Sequence, residues 1–563
     1  MRREVSVVNK KVCSFPILFA LLALLIGTCA VVFPASAQAA PTSTGSITVS
    51  GTVASSYDAY QIFSANVVDG DSDAKIATDL AWASDAARDA VLPVLHSAGM
   101  PNSQTTAQEA AEWLNTDSHL TSALSAQLAR SLQSSGAVSM ALNAGTAAEL
   151  PCGYWLIVAD DAAISQNKAG TAPIMALVGG SAVTVKPKAA TPKVSKHVLE
   201  DGTAAWQKAA DATVADDLYW RLSATVPAGL TAYDTYTVRF VDTMSAGLDP
   251  SKVAASMRVY VAAGADGGFD AVQTSKDGRA GTEPAKGWTD ITAQCATKVA
   301  ADGKTFTVRT GDLIAALGGA DAFTAGARVV AVYNAPLNSA CNHGIAKGNP
   351  NEVYLRYPRS PFADQSGDAG FTHTPSDDAC AYTWDLALTK RGSDGDKPLA
   401  GAVLSIADDR GRTLAADGTW DAEGKATVTT GEDGRVTVSG VDSGKLEVRE
   451  LKAPKGYVAF EGTRSVTVKA EGLDVDQVAA AKPKLTITAE SPLRADSADG
   501  STGSLEASLI NTPTGTPPSI TTGGFMPSTG DMAMYAAAAA AVAGAALIVV
   551  ALLVKRGGGS HKE

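Results

Sequence analysis

Short alternations of apolar and polar residues recur along most of this chain. Tyr236-Thr237-Val238-Arg239-Phe240 places every second residue on one face, the pattern of a half-buried strand. Ser46-Ile47-Thr48-Val49, Asp58-Ala59-Tyr60-Gln61-Ile62-Phe63, Tyr154-Trp155-Leu156-Ile157-Val158 and Ala182-Val183-Thr184-Val185 read as further strands. Val329-Val330-Ala331-Val332-Tyr333 is a continuous apolar run, as in a strand covered on both faces. One stretch breaks the rule. From Asp79 to about Leu142, apolar residues return at helical spacing: Ala87, Val91 and Leu95, then Leu120, Leu124, Leu128 and Leu132. Farther on, Asp394-Gly395, Asp417-Gly418 and Asp433-Gly434 mark tight turns between short strands.

These patterns divide the chain. Residues 40–188 are expected to form a β-sandwich with a helical insertion. A joint rich in Lys, Pro and Thr follows, from Lys186 to Pro192. A second sandwich is expected over 193–361. A loop rich in Asp, Ser, Gly and Pro runs from Ser360 to Asp378, and a third sandwich is expected over 379–513. Residues 514–525, rich in Thr, Pro and Gly, read as an extended linker.

Two long apolar runs lie at the ends. Phe15 to Phe33 follows a basic start with Arg2, Arg3, Lys10 and Lys11, and Ala37-Gln38-Ala39 offers small side chains beyond it. Residues 1–39 therefore read as a secretory signal peptide. Met532 to Val554 carries no charge and is long enough to cross a hydrocarbon core of roughly 30 Å as a helix. The basic tail 555–563 begins with Lys555 and Arg556, which stay on the cytoplasmic side and leave the bulk of the chain outside. Just before the run, Met526-Pro527-Ser528-Thr529-Gly530 resembles the Leu-Pro-x-Thr-Gly sorting signal of sortase substrates, with Met in place of Leu. That resemblance implies attack by a sortase thiol on the Thr529 carbonyl and release of everything from Gly530 onward.

Composition narrows the reading further. A net charge of −12 argues against nucleic acid as a partner. Aromatic residues at 6 % and charged residues at 18 % suit thin sandwiches better than deep cores. Of six cysteines, Cys13 and Cys29 leave with the signal peptide. Cys152, Cys295, Cys341 and Cys380 remain, an even number that permits disulfides in an exported chain, with Cys341 to Cys380 the preferred pair.

The whole chain resembles the sortase-assembled backbone pilins of Gram-positive bacteria. Val183-Thr184-Val185-Lys186-Pro187-Lys188 is similar to the pilin motif that ends an N-terminal domain, with Lys186 where that motif has Tyr. The resemblance implies that the Lys188 amine attacks the Thr529–sortase thioester of the next subunit, with Lys186 and Lys193 as rival nucleophiles. An amine attacks only when neutral, and its ordinary pKa is roughly 10. The third unit carries, in order, Ala387-Leu388-Thr389-Lys390, Pro398-Leu399-Ala400-Gly401-Ala402, Val448-Arg449-Glu450-Leu451-Lys452-Ala453-Pro454-Lys455-Gly456-Tyr457 and Leu509-Ile510-Asn511-Thr512. This series resembles a collagen-adhesin B-type (CnaB-like) domain with an internal isopeptide bond, which implies Lys390 attacking the Asn511 side-chain amide with help from Glu450. The physical chemistry agrees. Among apolar neighbours an amine sheds its proton more readily and a carboxylic acid keeps its own, so the pair can shuttle protons while ammonia leaves. In the second unit, Lys196 and the segment Val241-Asp242-Thr243-Met244 resemble the same arrangement, with Asp242 in the acidic role. The expected acceptor segment is missing, since Tyr357-Pro358-Arg359-Ser360-Pro361 holds no Asn; Asn349 and Asn351 are the alternatives upstream, with Asn351 preferred.

The fold class implied is mainly β: tandem immunoglobulin-like, CnaB-like sandwiches, the first with a helical insertion. The function implied is the repeating subunit of a covalent pilus that supports adhesion, made by a pilin-type sortase. The implied partners are identical subunits, minor pilins at tip and base, peptidoglycan through a housekeeping sortase, and a host surface ligand that the sequence does not name. No cofactor is expected. No metal is expected either, because Asp69-Gly70-Asp71-Ser72-Asp73 lacks the Gly and Glu that complete a calcium loop. The competing readings are a monomeric wall-anchored adhesin, which would leave Lys188 unused, and an exported enzyme, which the lack of a convergent catalytic set opposes.

Overall fold

The computed structural model describes residues 43–515, apart from 72–73, 117, 171, 188–190, 228–229, 265–286 and 324–325. The expected signal peptide, linker beyond residue 515 and sorting motif, the apolar run 532–554 and the basic tail lie outside the described residues, as does Lys188. Among the described residues no helix is long and apolar enough to cross a membrane. The chain is mainly β, with helices concentrated in its first part.

In the first unit, strand Thr44–Val49 lies between Ala147–Pro151 and Val183–Val185. A second sheet runs Lys75–Trp82, Ser56–Asp69, Gly153–Ala159 and Ile174–Val178, with Ser139–Asn143 joined to the start of Ser56–Asp69. Side chains alternate across a strand. In Gly153–Ala159, Trp155 and Ile157 therefore face the small sheet, while Leu156 and Val158 face the helices. Those helices are Asp85–Ser97, Ala107–Asn115 and Ser122–Ser134. Each begins at a hydroxyl cap: Ser84 accepts from Ala87 N–H, Thr106 forms a reciprocal box with Glu109, and Thr121 accepts from Leu124 N–H. The sequence periodicity predicted an inward stripe of Ala87, Val91, Leu95, Leu120, Leu124, Leu128 and Leu132; all are buried except Leu120, which precedes the third helix and is partly buried.

The second unit packs two sheets face to face. One runs Ala205–Gln207, Lys193–Glu200, Tyr219–Val226, Ala327–Asn334, Arg258–Ala263 and Thr289–Asp290. The other runs Ala209–Asp211, Asp377–Tyr382, Asn349–Pro358, Arg239–Met244, Thr305–Arg309 and Ala296–Val299. Asp377–Tyr382 thus pairs with Asn349–Val353, so the second unit's sheet extends through residues expected in the loop and at the start of the third unit. The third unit sets Arg435–Val441, Trp384–Gly392, Ser504–Pro513 and Tyr457–Val458 against a larger sheet built on Val403–Ala407, Gly444–Lys452 and Thr463–Glu471.

The second and third units are in intimate contact. Asp211 Oδ2 accepts from Trp384 Nε1–H at 2.6 Å and from the Ser443 N–H at 2.9 Å. Arg412 donates to both oxygens of Asp216, at 2.5 and 2.7 Å. Burial pushes the Glu200 carboxyl up to about 8, and burial with the nearby Asp211 charge pushes Asp442 well above the usual carboxylate range. A carboxyl raised in this way holds its proton more readily, which lessens the repulsion between neighbouring acids.

The bulge where Ser56–Asp69 crosses Gly153–Ala159 tests the first unit's packing. Gly153 has φ +142°, and a Cβ there would sit 2.0 Å from the Phe63 carbonyl oxygen. Gly153→Ala is expected to lower the stability of the unit by about 3 kcal/mol in thermal or denaturant unfolding.

Candidate functional site

Three strands of the third unit carry the same irregularity. In Trp384–Gly392 the inward positions read Trp384, Leu386, Leu388 and then Lys390. In Gly444–Lys452 they read Leu446, Val448 and then Glu450. In Ser504–Pro513 they read Leu505, Ala507, Leu509 and then Asn511. Each alternation ends by turning a polar residue into the core. The first and last of these strands are neighbours and run parallel, with Gly392 opposite Asn511.

The three polar groups meet. The Lys390 Nζ contacts Asn511 Oδ1, and lies 3.2 Å from Glu450 Oε1. Asn511 Nδ2 donates to both Glu450 oxygens, at 2.9 and 3.0 Å. Glu450 Oε2 also accepts from the Phe460 N–H at 3.1 Å. The Lys390 and Glu450 side chains are 0 % exposed. Burial lowers the Lys390 amine to about 8, against the opposing pull of Glu450. An amine so placed is neutral in a useful fraction of molecules near neutral pH, and it touches a carboxamide.

The second unit repeats the design with other parts. Lys196, Asp242, Tyr333 and Asn351 take inward positions on Lys193–Glu200, Arg239–Met244, Ala327–Asn334 and Asn349–Pro358. All four are fully buried. The Lys196 Nζ contacts Asp242 Oδ2 and donates to Tyr333 Oη at 2.9 Å. It lies 5.5 Å from the Trp220 ring centroid. Burial lowers this amine to about 8, Asp242 opposing, and burial raises the Asp242 carboxyl, Lys196 opposing. Asn351 Nδ2 donates to Tyr333 Oη at 2.8 Å. Asn349, the other upstream acceptor, is spent on the backbone: its Oδ1 takes the Asn342 N–H and its Nδ2 serves the Asn342 and Ala381 carbonyls. Sequence reasoning missed Tyr333, although its place at the inward end of the Val329–Tyr333 run was a signal. It also missed Lys208, whose Nζ reaches Asp377 Oδ2 at 2.5 Å and the Lys196 carbonyl at 2.8 Å, tying the strand behind the buried lysine.

The disulfide expectation is corrected. Cys152, Cys295, Cys341 and Cys380 are all free. Each thiol has its own neighbours. Cys152 packs with Ala65, Val67 and Ala77, and Cys295 Sγ donates to the Ile291 carbonyl. Cys341 lies beside His343, while Cys380 sits inward by Tyr382. Of the rival lysines, Lys186 and Lys193 are both exposed. Asp69, set aside as a calcium ligand, instead accepts from the Ser181 N–H at 2.8 Å and pairs with Lys75.

Comparison with known proteins bears on the third unit first. Residues 385–482 match the family described as SpaA, prealbumin-like fold domain. The third unit is built on a SpaA-type prealbumin-like domain. The match includes Lys390 and Glu450, while Asn511 lies beyond it on the last strand. A stretch of 143 residues is 30 % identical to the trypsin-resistant surface T6 protein of Streptococcus pyogenes serotype M6. The match spans about a quarter of each chain, 24 %. These matches bear out the resemblance to Gram-positive pilins drawn from the sequence. Among solved structures, the T6 backbone pilin of serotype M6 Streptococcus pyogenes aligns at a TM-score of 0.44 and 16 % identity, over 84 % of this chain and 98 % of that one. The full-length major pilin SpaD of Corynebacterium diphtheriae aligns at 0.41 and 15 %, over 84 % and 98 %.

Thiol chemistry gives a direct check. Burial raises Cys295, Cys341 and Cys380 to about 11 each. A buried thiol that stays protonated reacts slowly. At neutral pH these three are expected to resist alkylation in the folded chain. After unfolding without reductant, alkylation should label all four cysteines of the exported chain, read by mass.

Proposed function

We propose that the chain is the backbone subunit of a covalently polymerised surface pilus, closed internally by lysine–asparagine amide bonds. The observation that carries this reading is the buried meeting of Lys390, Glu450 and Asn511 on a first, a central and a last strand. A lysine, a glutamate and an asparagine cost stability inside an apolar core, and their mutual contact is also the geometry for amide exchange. The proton on Lys390 passes to Glu450, and the neutral amine attacks Cγ of Asn511. The acid gives its proton to the departing nitrogen and then takes the surplus proton from the added one, so that the Cγ–Nδ2 bond breaks, one ammonia leaves for each bond formed, and the last proton departs with it to restore the carboxylate. The reaction happens once per molecule, so this is maturation without turnover. The same exchange is proposed for Lys196 with Asn351, assisted by Asp242.

Between subunits, the reading rests on the sequence. Thr529 is the residue a sortase would acylate, and Lys188, on the joint after the first unit, is the nucleophile that would receive the next subunit. The pilin-type sortase, the minor pilins, the final transfer to peptidoglycan and an adhesive role at the cell surface belong to the same proposal.

Two experiments test it. In a strain with its pilin-type sortase, Lys188→Ala is expected to abolish the high-mass ladder seen in detergent gels of surface extracts. An unchanged ladder would reject Lys188 as the linking residue. Within the subunit, the reduced, exported chain is expected to weigh one ammonia less than its sequence for each internal bond. Lys390→Ala should restore one ammonia and lower stability by roughly 4–5 kcal/mol, the scale of a cross-link closing so long a loop. A full, undiminished mass in the unaltered chain would reject the internal bonds.

A further inference from the structure

The two reactive centres differ in one respect. In the third unit, Glu450 touches both the amine and the amide nitrogen. In the second unit the carboxylate is Asp242, one methylene shorter. It touches the amine, while the amide nitrogen of Asn351 bonds to Tyr333. The tyrosine hydroxyl is used to capacity. It donates to Asp242 Oδ2 at 3.0 Å and accepts from Lys196 Nζ at 2.9 Å and from Asn351 Nδ2 at 2.8 Å. A phenol has one hydrogen and two acceptor sites, so none is left over. The hydroxyl is held by these three bonds, while the ring packs edge-on against Phe306, with centroids 4.8 Å apart. Asp242 Oδ1 and Asn351 Oδ1 are buried without a hydrogen-bond partner.

We propose that Tyr333 is a catalytic residue of the second unit, a proton relay between the attacking nitrogen of Lys196 and the leaving nitrogen of Asn351. The proposal rests on the amide-exchange reading given above. Lys196 Nζ gives one proton to Asp242, leaving a neutral amine and a neutral acid. The amine adds to Cγ of Asn351 and negative charge gathers on Oδ1. That oxygen lacks a partner in the resting site, and a protonated Asp242 has an O–H to offer such an acceptor. Nζ now carries a surplus proton that Nδ2 needs. Tyr333 accepts it on one side and gives its own hydrogen on the other, so the phenol ends as it began. The Cγ–Nδ2 bond breaks, ammonia leaves with the proton held by Asp242, and the carboxylate is restored. Burial, reinforced by Asp242, holds the Tyr333 hydroxyl well above its ordinary value, so it works by simultaneous exchange and never stands as a free phenolate. The third unit needs no such residue, because Glu450 spans both nitrogens.

The test uses the whole exported chain, sampled at intervals after a pulse of synthesis and digested. The peptide joining Lys196 to Asn351 and the one joining Lys390 to Asn511 are then measured in the same molecules. Tyr333→Phe is expected to slow the first bond by about a hundred-fold or more, the range for loss of a proton-transfer group. The second bond should keep its normal pace, which reports that the chain has folded and been exported. Phe306→Leu disturbs the packing of the same ring without removing the hydroxyl, and is expected to leave the first bond's rate within about two-fold of the unaltered chain. The relay is overturned if Tyr333→Phe proceeds at the unaltered rate, or if Phe306→Leu is slowed as much. Absence of the Lys196–Asn351 peptide from the unaltered chain is a different result, which removes the bond itself and the relay with it.

Discussion

A lysine amine held inside an apolar core, against a carboxyl group and a carboxamide, is the interaction on which the rest of this structure depends. Hydration normally keeps such an amine charged and at the surface. Here Lys390 and Lys196 sit where the strand alternation calls for an apolar side chain, and burial lowers both amines to about 8. The surrounding sandwich serves that placement. Period-two strands bring the first, central and last strands of the third unit to one point. In the second unit, the Trp220 and Tyr333 rings flank the amine. In the proposed reading, this thin core is the vessel for a covalent closure.

The two units meet one chemical demand with different parts. Glu450 alone spans amine and amide. Asp242 is shorter, and a phenol completes the circuit. The pairing of a carboxylate's length with a helper residue is a local matter of about one carbon–carbon bond, so a change at one position alters what the other must do.

Much of this was legible in the sequence. The alternation predicted the strands, and the spacing of Leu120, Leu124, Leu128 and Leu132 predicted the helical insertion. Lys390, Glu450 and Asn511 stood out because their flanking motifs follow in order, and each ends an apolar alternation. Asn351 was harder, since Asn349 shares its inward face, and only the backbone bonds around Asn342 separate the two. Tyr333 stayed hidden because a tyrosine closing an apolar run is ordinary core material until its hydroxyl is placed in space. The cysteines misled: an even number in an exported chain permits pairing, but pairing needs neighbours, and these thiols face different parts of the fold. The Asp211, Glu200 and Asp442 junction joins residues more than two hundred positions apart, as in the Ser443 bond to Asp211, and no local pattern announces such a contact.

The neighbouring, parallel course of Trp384–Gly392 and Ser504–Pro513 has one more consequence. In the proposed cross-linked chain, the Lys390–Asn511 bond bypasses the 121 positions that separate its ends, and the main chain through that loop is then not the one connection between the two strands. In the proposed polymer, a protease that severed an exposed turn in that interval, at Asp417-Gly418 for example, would leave the subunits joined. Continuity of the proposed fibre would thereby be separated from continuity of the polypeptide, and the turns of the third unit would be free to vary in sequence.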